Sequence, residues 1–417
     1  SKSSAMVLKQ IHCRLTRWCA IGILRYRRLM RSYARLQMYS HSLRLYIIFS
    51  RDLLLPDSHI LPLALKSLSS LSLSSSLFFP LFFQLHSVAT RLGLASHPHC
   101  HTAFVSAYFA INRRDLACKV FDENPHPQVA SWNALISGFA RSHPSHALRL
   151  FSHMRARGVP PDHVTMVTVV PACGRIGDLH LALQLHNVAL QVCRNVSRPL
   201  SVAARLHNSI VFMYAKCGRM DLACKVFDHI PSELKSVSTW SCLVMGYAVL
   251  GRADEAIACF HHMADVVRIP PNHVTFVGVL MACVHAGLVE EGKRYFYLMR
   301  HVYGVAPRLK HYGCMVDLMA RGGLFSEAKE VLENMPMRPN KVIYGSLMGA
   351  CEKYGNAEMG AWVAEKLVEF QPLDDGALVV LSNIYAARGM WSDVERVRRR
   401  IQTMGLGRFS SACIATS

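Results

Sequence analysis

Four segments of the chain share one spacing of apolar residues. Ala147/Leu150/Phe151/Met154, Ala223/Val226/Phe227/Ile230, Ala256/Cys259/Phe260/Met263 and Ala328/Val331/Leu332/Met335 each place apolar groups at i, i+3, i+4 and i+7. That spacing forms one stripe of an amphipathic helix. Turn signals precede the stripes, among them Cys217-Gly218-Arg219, Gly251-Arg252 and Arg321-Gly322-Gly323, and before the turn lies another apolar helix such as Ala134-Leu135-Ile136. Glycine supplies the left-handed conformation that ends the first helix. Asp221, Asp254 or Ser326 then suits the start of the second. Pro125, Pro160, Pro231, Pro270 and Pro336 follow the pairs, so the predicted unit is helix, turn, helix and proline-marked link in roughly 31 to 41 residues.

The units are copies of one another. The octapeptide at Asp115 to Asp122 recurs at Asp221 to Asp228, Ser131-Trp132-Asn133 returns as Thr239-Trp240-Ser241, and Pro161-Asp162-His163-Val164-Thr165 returns as Pro271-Asn272-His273-Val274-Thr275, at offsets within 105 to 110 residues. An interval of that size divides into three helical pairs. A single pair cannot bury its stripe, so the copies must stack into an α-solenoid with a continuous core and a long concave face. The predicted fold class is all-α.

Composition sharpens the picture of a partner. Lys and Arg number 47 against 27 acidic residues, a formal charge of +20. A long basic concave surface attracts a polyanion through counterion release, which makes nucleic acid the natural ligand. Seven of the eighteen residues from Ser67 to Gln84 are serine and Pro80 interrupts them, which favours a helical hairpin over a membrane span. No membrane insertion is expected. Cys173, Cys217, Cys283 and Cys351 fall at similar points near the end of first helices, and Cys118 and Cys224 lie in second helices. They are read as small buried thiols, in a reducing compartment.

Ser131 to Gly138, Met213-Tyr214-Ala215-Lys216-Cys217-Gly218-Arg219, Val226-Phe227-Asp228-His229-Ile230-Pro231, His311 to Leu318 and Leu381 to Ala387 together carry a family signature. On these residues the chain resembles the pentatricopeptide repeat family of plant organelles, in the subclass that alternates P-, L- and S-type repeats. The resemblance implies a right-handed superhelical α-solenoid of helix-turn-helix repeats. By it, P-type repeats lie near 23–57, 129–162 and 237–272, L-type near 58–97, 163–203 and 273–308, and S-type near 98–128, 204–236 and 309–340. Residues 341–405 are similar to the paired E motifs of the family, themselves helical hairpins. Residues 1–22 are expected to be a degenerate segment or targeting remnant, and 406–417 an irregular tail that lacks the family's Cys-Ser-Trp continuation. An extra stretch around Arg194 to Pro199 is expected to lengthen a link.

In a helical-repeat reader two or three side chains hold one base per repeat. The resemblance places the deciding pair at the residue after the aromatic position of the first helix and at the last residue of the repeat. For 129–162 this is Asn133 with Asp162, which favours uracil by the family's code; for 237–272 it is Ser241 with Asn272, which favours adenine. Asn208 with Ser236 implies a pyrimidine. Thr102 with Gln128, and Gly313 with Asn340, specify no base, and Arg27 is off-code. Pro62, Val167 and Val277 in the L-type repeats cannot discriminate by hydrogen bonding and are expected to be spacers or to sandwich a base. The implied core is U, any base, a pyrimidine, A, read 5′ to 3′ on single-stranded RNA.

The subclass often ends in a cytidine deaminase domain, which needs an H-x-E proton shuttle and a P-C-x-x-C zinc site. No His here is followed two residues later by Glu, and no two cysteines are three apart. The expectation is therefore a non-enzyme without cofactor: a site-recognition factor for C-to-U editing in the mitochondrion, or alternatively the chloroplast. A DYW-type deaminase protein and multiple organellar RNA editing factor proteins are the partners the family implies. Intron splicing or transcript stability is the alternative, and a tetratricopeptide-like protein-binding scaffold without RNA function is the rival from another class. An Arg-rich, acid-free N-terminus before Asp52 reads as a transit peptide, although most of that stretch also aligns with the repeat at 129–162.

Overall fold

The computed structural model describes residues 23–51, 55–72, 79–194, 200–370 and 376–403. Among the described residues every regular element is helical. The chain divides into two compact units, Ser1–Met213 and Tyr214–Ser417.

In the first unit helices follow one another in pairs: α1 (Ile23–Arg35) and α2 (Tyr39–Arg51), α3 (Ile60–Ser72) and α4 (Phe79–Arg91), α5 (Pro98–Ala110) and α6 (Arg114–Asp122), α7 (Val129–Ala140) and α8 (Pro144–Ala156), α9 (His163–Ile176) and α10 (Leu179–Arg194). Next come α11 (Leu200–Lys216) and α12 (Met220–Asp228). In the second unit the pairs are α13 (Val237–Val249) and α14 (Ala253–His261), α15 (His273–Ala286) and α16 (Val289–His301), α17 (Leu309–Arg321) and α18 (Phe325–Asn334), α19 (Lys341–Tyr354) and α20 (Ala357–Phe370), α21 (Gly376–Ala387) and α22 (Trp391–Thr403). First helices also pack on one another from pair to pair, giving the rows α1-α3-α5-α7-α9 and α13-α15-α17-α19-α21. In the second unit one hydrophobic cluster runs from Val244 through Phe276, Tyr312, Leu347 and Leu381 to Ile401, the continuous core that stacked copies require. No described helix is long and apolar enough to cross a membrane.

The apolar stripes sit where the spacing put them, but they are narrower. Ala147, Phe151 and Met154 are buried, as are Ala223, Phe227 and Ile230, Ala256, Phe260 and Met263, and Ala328, Leu332 and Met335. Leu150, Val226, Cys259 and Val331, the i+3 members, are only half-buried. At about 100° per residue that position lies about 60° off the stripe's centre line, at its edge. The turn glycines behave as expected: Gly218 has φ 74° and Gly323 φ 75°, the left-handed region open to glycine.

Asp221, Asp254 and Ser326 lie in the first turns of the second helices, as expected, rather than at the cap positions themselves. Those positions are Arg219, Arg252 and Leu324, none with a side-chain cap bond. The turn leaves no room for an extra capping residue between glycine and helix. Asp221 instead takes two hydrogen bonds from the Arg219 guanidinium, at 2.8 and 2.6 Å, and this, the largest influence on it, holds its carboxyl down at about 2.

The thiols of Cys173, Cys283 and Cys351 are fully buried near the ends of α9, α15 and α19. Burial pushes the latter two up to about 12, and none of the described cysteines forms a disulfide. The segments 1–22, 195–199 and 404–417 lie outside the described residues, and with them the targeting remnant, most of the lengthened link and the tail.

Buried histidines give the fold an acid limit. Burial lowers the imidazole pKa of His86, His101 and His186 in the first unit and of His311 in the second. The unfolded chain takes up protons near the ordinary imidazole value of about 6.5, and these folded rings do not. The stability they carry is therefore complete above that pH and is lost as pH falls through their lower folded values. Thermal midpoints scanned downward from pH 8 are expected to hold level until about pH 6.5 and then decline; a midpoint that rises on acidification contradicts this.

Candidate nucleic-acid interface

The polar residues singled out by the repeat register lie along the first-helix rows, and most of them do structural work there. Asp162 is the N-cap of α9: its Oδ1 accepts from the Thr165 N–H at 2.9 Å, and the Asp162 N–H donates to Thr165 Oγ1 at 3.1 Å. This closed capping box satisfies two otherwise orphan N–H groups. Asn133 comes from the middle of α7, 8% exposed, and its Nδ2 donates to Asp162 Oδ1 at 3.0 Å. The Thr165 hydroxyl donates to Asn133 Oδ1 at 2.6 Å. Burial, the largest influence, favours the neutral form of Asp162; the Thr165 N–H, the Asn133 amide and the Thr165 hydroxyl together outweigh it and hold the carboxyl below its usual range.

The second unit repeats the arrangement. Asn272 caps α15, its Oδ1 accepting from the N–H groups of Val274 at 2.8 Å and Thr275 at 3.1 Å. Ser241, on α13 and 3% exposed, lies 2.7 Å from Thr275 Oγ1, and its hydroxyl donates to the Val237 carbonyl at 2.7 Å. With the Ser241 proton so placed, Thr275 donates to Ser241.

Thr102 and Gln128 are less alike. The Thr102 hydroxyl donates to the Pro98 carbonyl at 2.9 Å and lies 3.0 Å from Ser131 Oγ, while Gln128 is exposed at the N-cap position of α7 without a side-chain cap bond. Asn340 caps α19 through the Ile343 N–H at 3.1 Å. Gly313 offers no side chain beside it. Asn208 is half-buried on α11 in the first unit. Ser236, in the second, precedes α13 and its N–H donates to Thr239 Oγ1 at 3.1 Å.

Two of the apolar L-type positions, Pro62 and Val167, line open recesses, and Val277 is half-buried. Pro62 and Thr102 line one groove of about 710 Å³, together with Arg31 of α1, Lys66 of α3, and His59 and His99 near the starts of α3 and α5. Val167 lines a recess of about 90 Å³ with His163, Val164, Thr168 and Arg205. Sequence reasoning missed two sets of residues. One is the hydroxyl at the third place of the following repeat, Ser131, Thr165 and Thr275; the capping-box spacing Asp162 to Thr165 and Asn272 to Thr275 was its available signal. The other is the exposed valine just before it, Val164 and Val274, two apolar side chains left in solvent beside the polar pairs. No grouping of three or more His, Cys, Asp or Glu that could hold a metal occurs among the described residues.

Comparison with known proteins follows the same repeats. The family model described as PPR repeat family matches residues 127–187, and the PPR repeat model matches 206–233, 238–265, 274–301 and 310–338. The E motif model matches 354–409. A mitochondrial pentatricopeptide repeat-containing protein of Arabidopsis thaliana is 43% identical over 93% of this chain and 81% of its own length. A chloroplastic one from the same plant is 36% identical over 78% of this chain but only 43% of its own length. Among solved structures, the pentatricopeptide repeat protein PPR10 in complex with an 18-nt psaJ RNA element superposes with a TM-score of 0.60 at 16% identity, over 94% of this chain and 61% of that one; PPR10 is a maize protein. Relatedness of this depth, spread over both units, places the chain in the pentatricopeptide repeat family.

Proposed function

We propose that the chain binds single-stranded RNA in an organelle and selects sites for C-to-U editing, with a DYW-type deaminase supplied in trans. The observation that carries this reading is the recurrence, at Asn133/Asp162 and Ser241/Asn272, of a buried polar side chain of one first helix joined to the cap of the next, directly in the first case and through Thr275 in the second. Such a pair presents a fixed set of donors and acceptors, at a spacing of one per repeat, to a base edge. Val164 and Val274 add an exposed apolar contact beside each pair on which a base can rest. Arg31, Lys66 and Arg205 line the neighbouring grooves and suit phosphates. The complex of PPR10 with RNA and the E motif match at 354–409 point the same way. The mitochondrial name of the 43% identical relative favours that organelle over the chloroplast. In this reading Asn133, Asp162, Asn208, Ser236, Ser241 and Asn272 choose bases, and editing factor proteins act on the L-type repeats.

The test is transcriptome-wide crosslinking of the tagged protein in isolated organelles, with editing compared between normal and knockout plants. Footprints resembling U-N-Y-A, with editing lost just 3′ of them in the knockout, are the expected result. Specific footprints with unchanged editing move the role to splicing or transcript stability. No enriched RNA leaves a protein-binding scaffold.

A further inference from the structure

We propose that the hydroxyl at the third place of the following repeat sets base choice by fixing which end of the reading side chain faces the strand. The inference rests on the RNA reading above and assigns a specificity-determining role to Thr165 and Thr275, which touch no base themselves.

Three pairs carry it. Thr102 meets Ser131 at 3.0 Å, Asn133 meets Thr165 at 2.6 Å and Ser241 meets Thr275 at 2.7 Å. In each the first member holds the predicted reading position of one repeat and the second the third place of the next, so the contact recurs in register in both units. Where the third place is Ile343, the reading position opposite is Gly313, a residue with no side chain to orient.

At Asn133 the consequence is definite. An amide has one acceptor end and one donor end, and nothing in its shape says which points where. The Thr165 hydroxyl has a single proton. Its oxygen already accepts from the Asp162 N–H, and its proton is shared between Asn133 Oδ1 at 2.6 Å and Asp162 Oδ1 at 2.9 Å, the shorter contact being the one to Asn133. The acceptor end of the amide is thereby turned inward, in concert with Asp162 Oδ1, which can only accept and so takes the NH2 end. Its Nδ2 donates one hydrogen to Asp162 Oδ1, leaving the second hydrogen as the outward donor and Asp162 Oδ2 as the outward acceptor. Uracil presents a carbonyl at C4 beside N3–H, a match for that order of donor and acceptor. Cytosine presents an amino group at C4 beside a bare N3, the reverse order. An amide free to turn offers its oxygen to that amino group and loses the distinction.

At Ser241 the same device acts on a hydroxyl. Thr275 supplies a proton to Ser241 Oγ, whose own proton goes to the Val237 carbonyl, and Asn272 Oδ1 is taken by two backbone N–H groups. The outward donors of that repeat are then the Asn272 NH2 hydrogens.

Thr165→Val removes the hydroxyl at nearly constant shape; Thr165→Ser keeps it. Binding of full-length protein is measured to synthetic single-stranded RNAs that carry a U-N-Y-A core and differ only in having U, C, A or G as its first base. Wild type and Thr165→Ser are expected to prefer U over C. In Thr165→Val that preference is expected to shrink about tenfold, the worth of one hydrogen bond, chiefly through tighter binding of C. Thr275→Val in the second unit is expected to leave the first-base ratio unchanged and to erode preference at the fourth base. A uniform weakening of Thr165→Val for all four first bases, or an unchanged ratio at intact stability, overturns the inference and leaves Thr165 a helix cap alone. Absence of saturable binding by wild type overturns the RNA reading and this inference with it.

Discussion

Replacing Trp132 by alanine is expected to cost about 3–5 kcal/mol, the largest loss available at a single side chain in the first unit. Trp132 is fully buried, meets the Phe121 ring edge-on at 4.7 Å and the His153 ring at 5.5 Å, and its Nε1 has no hydrogen-bond partner. Its contribution is packed area, these ring contacts and the Arg157 guanidinium 6.0 Å over its face, and alanine leaves a void between α6, α7 and α8. In a repeat array each pair leans only on its neighbours, so the damage should stay local. Amide hydrogen exchange is the fitting measurement. Protection is expected to fall across α5 to α8 and to persist in α17 to α22. Trp132→Phe gives up only an unpartnered N–H and part of the ring, and is expected to cost less than half as much. Equal loss of protection throughout the chain contradicts the modular account.

Asn133→Ser combined with Asp162→Asn is expected to change the preferred first base from U to A by about 10–100-fold, without a matching loss of stability. The double variant rebuilds at α7 and α9 the pair that stands at Ser241 and Asn272. Asp and Asn are equally good helix caps, and Thr165 remains to complete the box as Thr275 does for Asn272. The electrostatic change is confined to one half-buried carboxylate. Competition binding with U-N-Y-A and A-N-Y-A RNAs measures the shift. Preference that stays with U would show that the base is chosen elsewhere than at these two positions.

The second helices were legible because one face of each meets solvent: polar residues interrupt the stripe at Ala147, Phe151 and Met154 and expose its period. The first helices hid theirs. On α7, six consecutive residues from Ser131 to Ile136 are buried, since the helix is flanked by α5 and α9 as well as by α8. A helix covered on so many sides shows no clean 3.6-residue alternation, and only the repeat register singled out Asn133. The same register found Asp162 and Asn272 but not what they do for the backbone. Thr165 and Thr275 were legible only as members of a capping box; that each also meets its reading partner was hidden, because the contact spans 32 and 34 residues of sequence, a separation that no local pattern covers. Asp221 lies in the first turn, where its residue type suits the start of a helix, while the cap position falls to Arg219 directly after the left-handed turn at Gly218.

At three junctions the last residue of a repeat closes a helix before it meets anything else. Asp162, Asn272 and Asn340 each satisfy the first N–H groups of the helix that follows. Lysine, leucine or valine at those places would leave the amides bare in a half-buried site. The short polar side chains that remain are few, so the vocabulary in which such an array can be rewritten for a new sequence is rationed by its own backbone. At such capped junctions a new target is reached more readily by changing the partner residue on the preceding helix, whereas a junction like Gln128, which makes no cap bond, carries no such restriction.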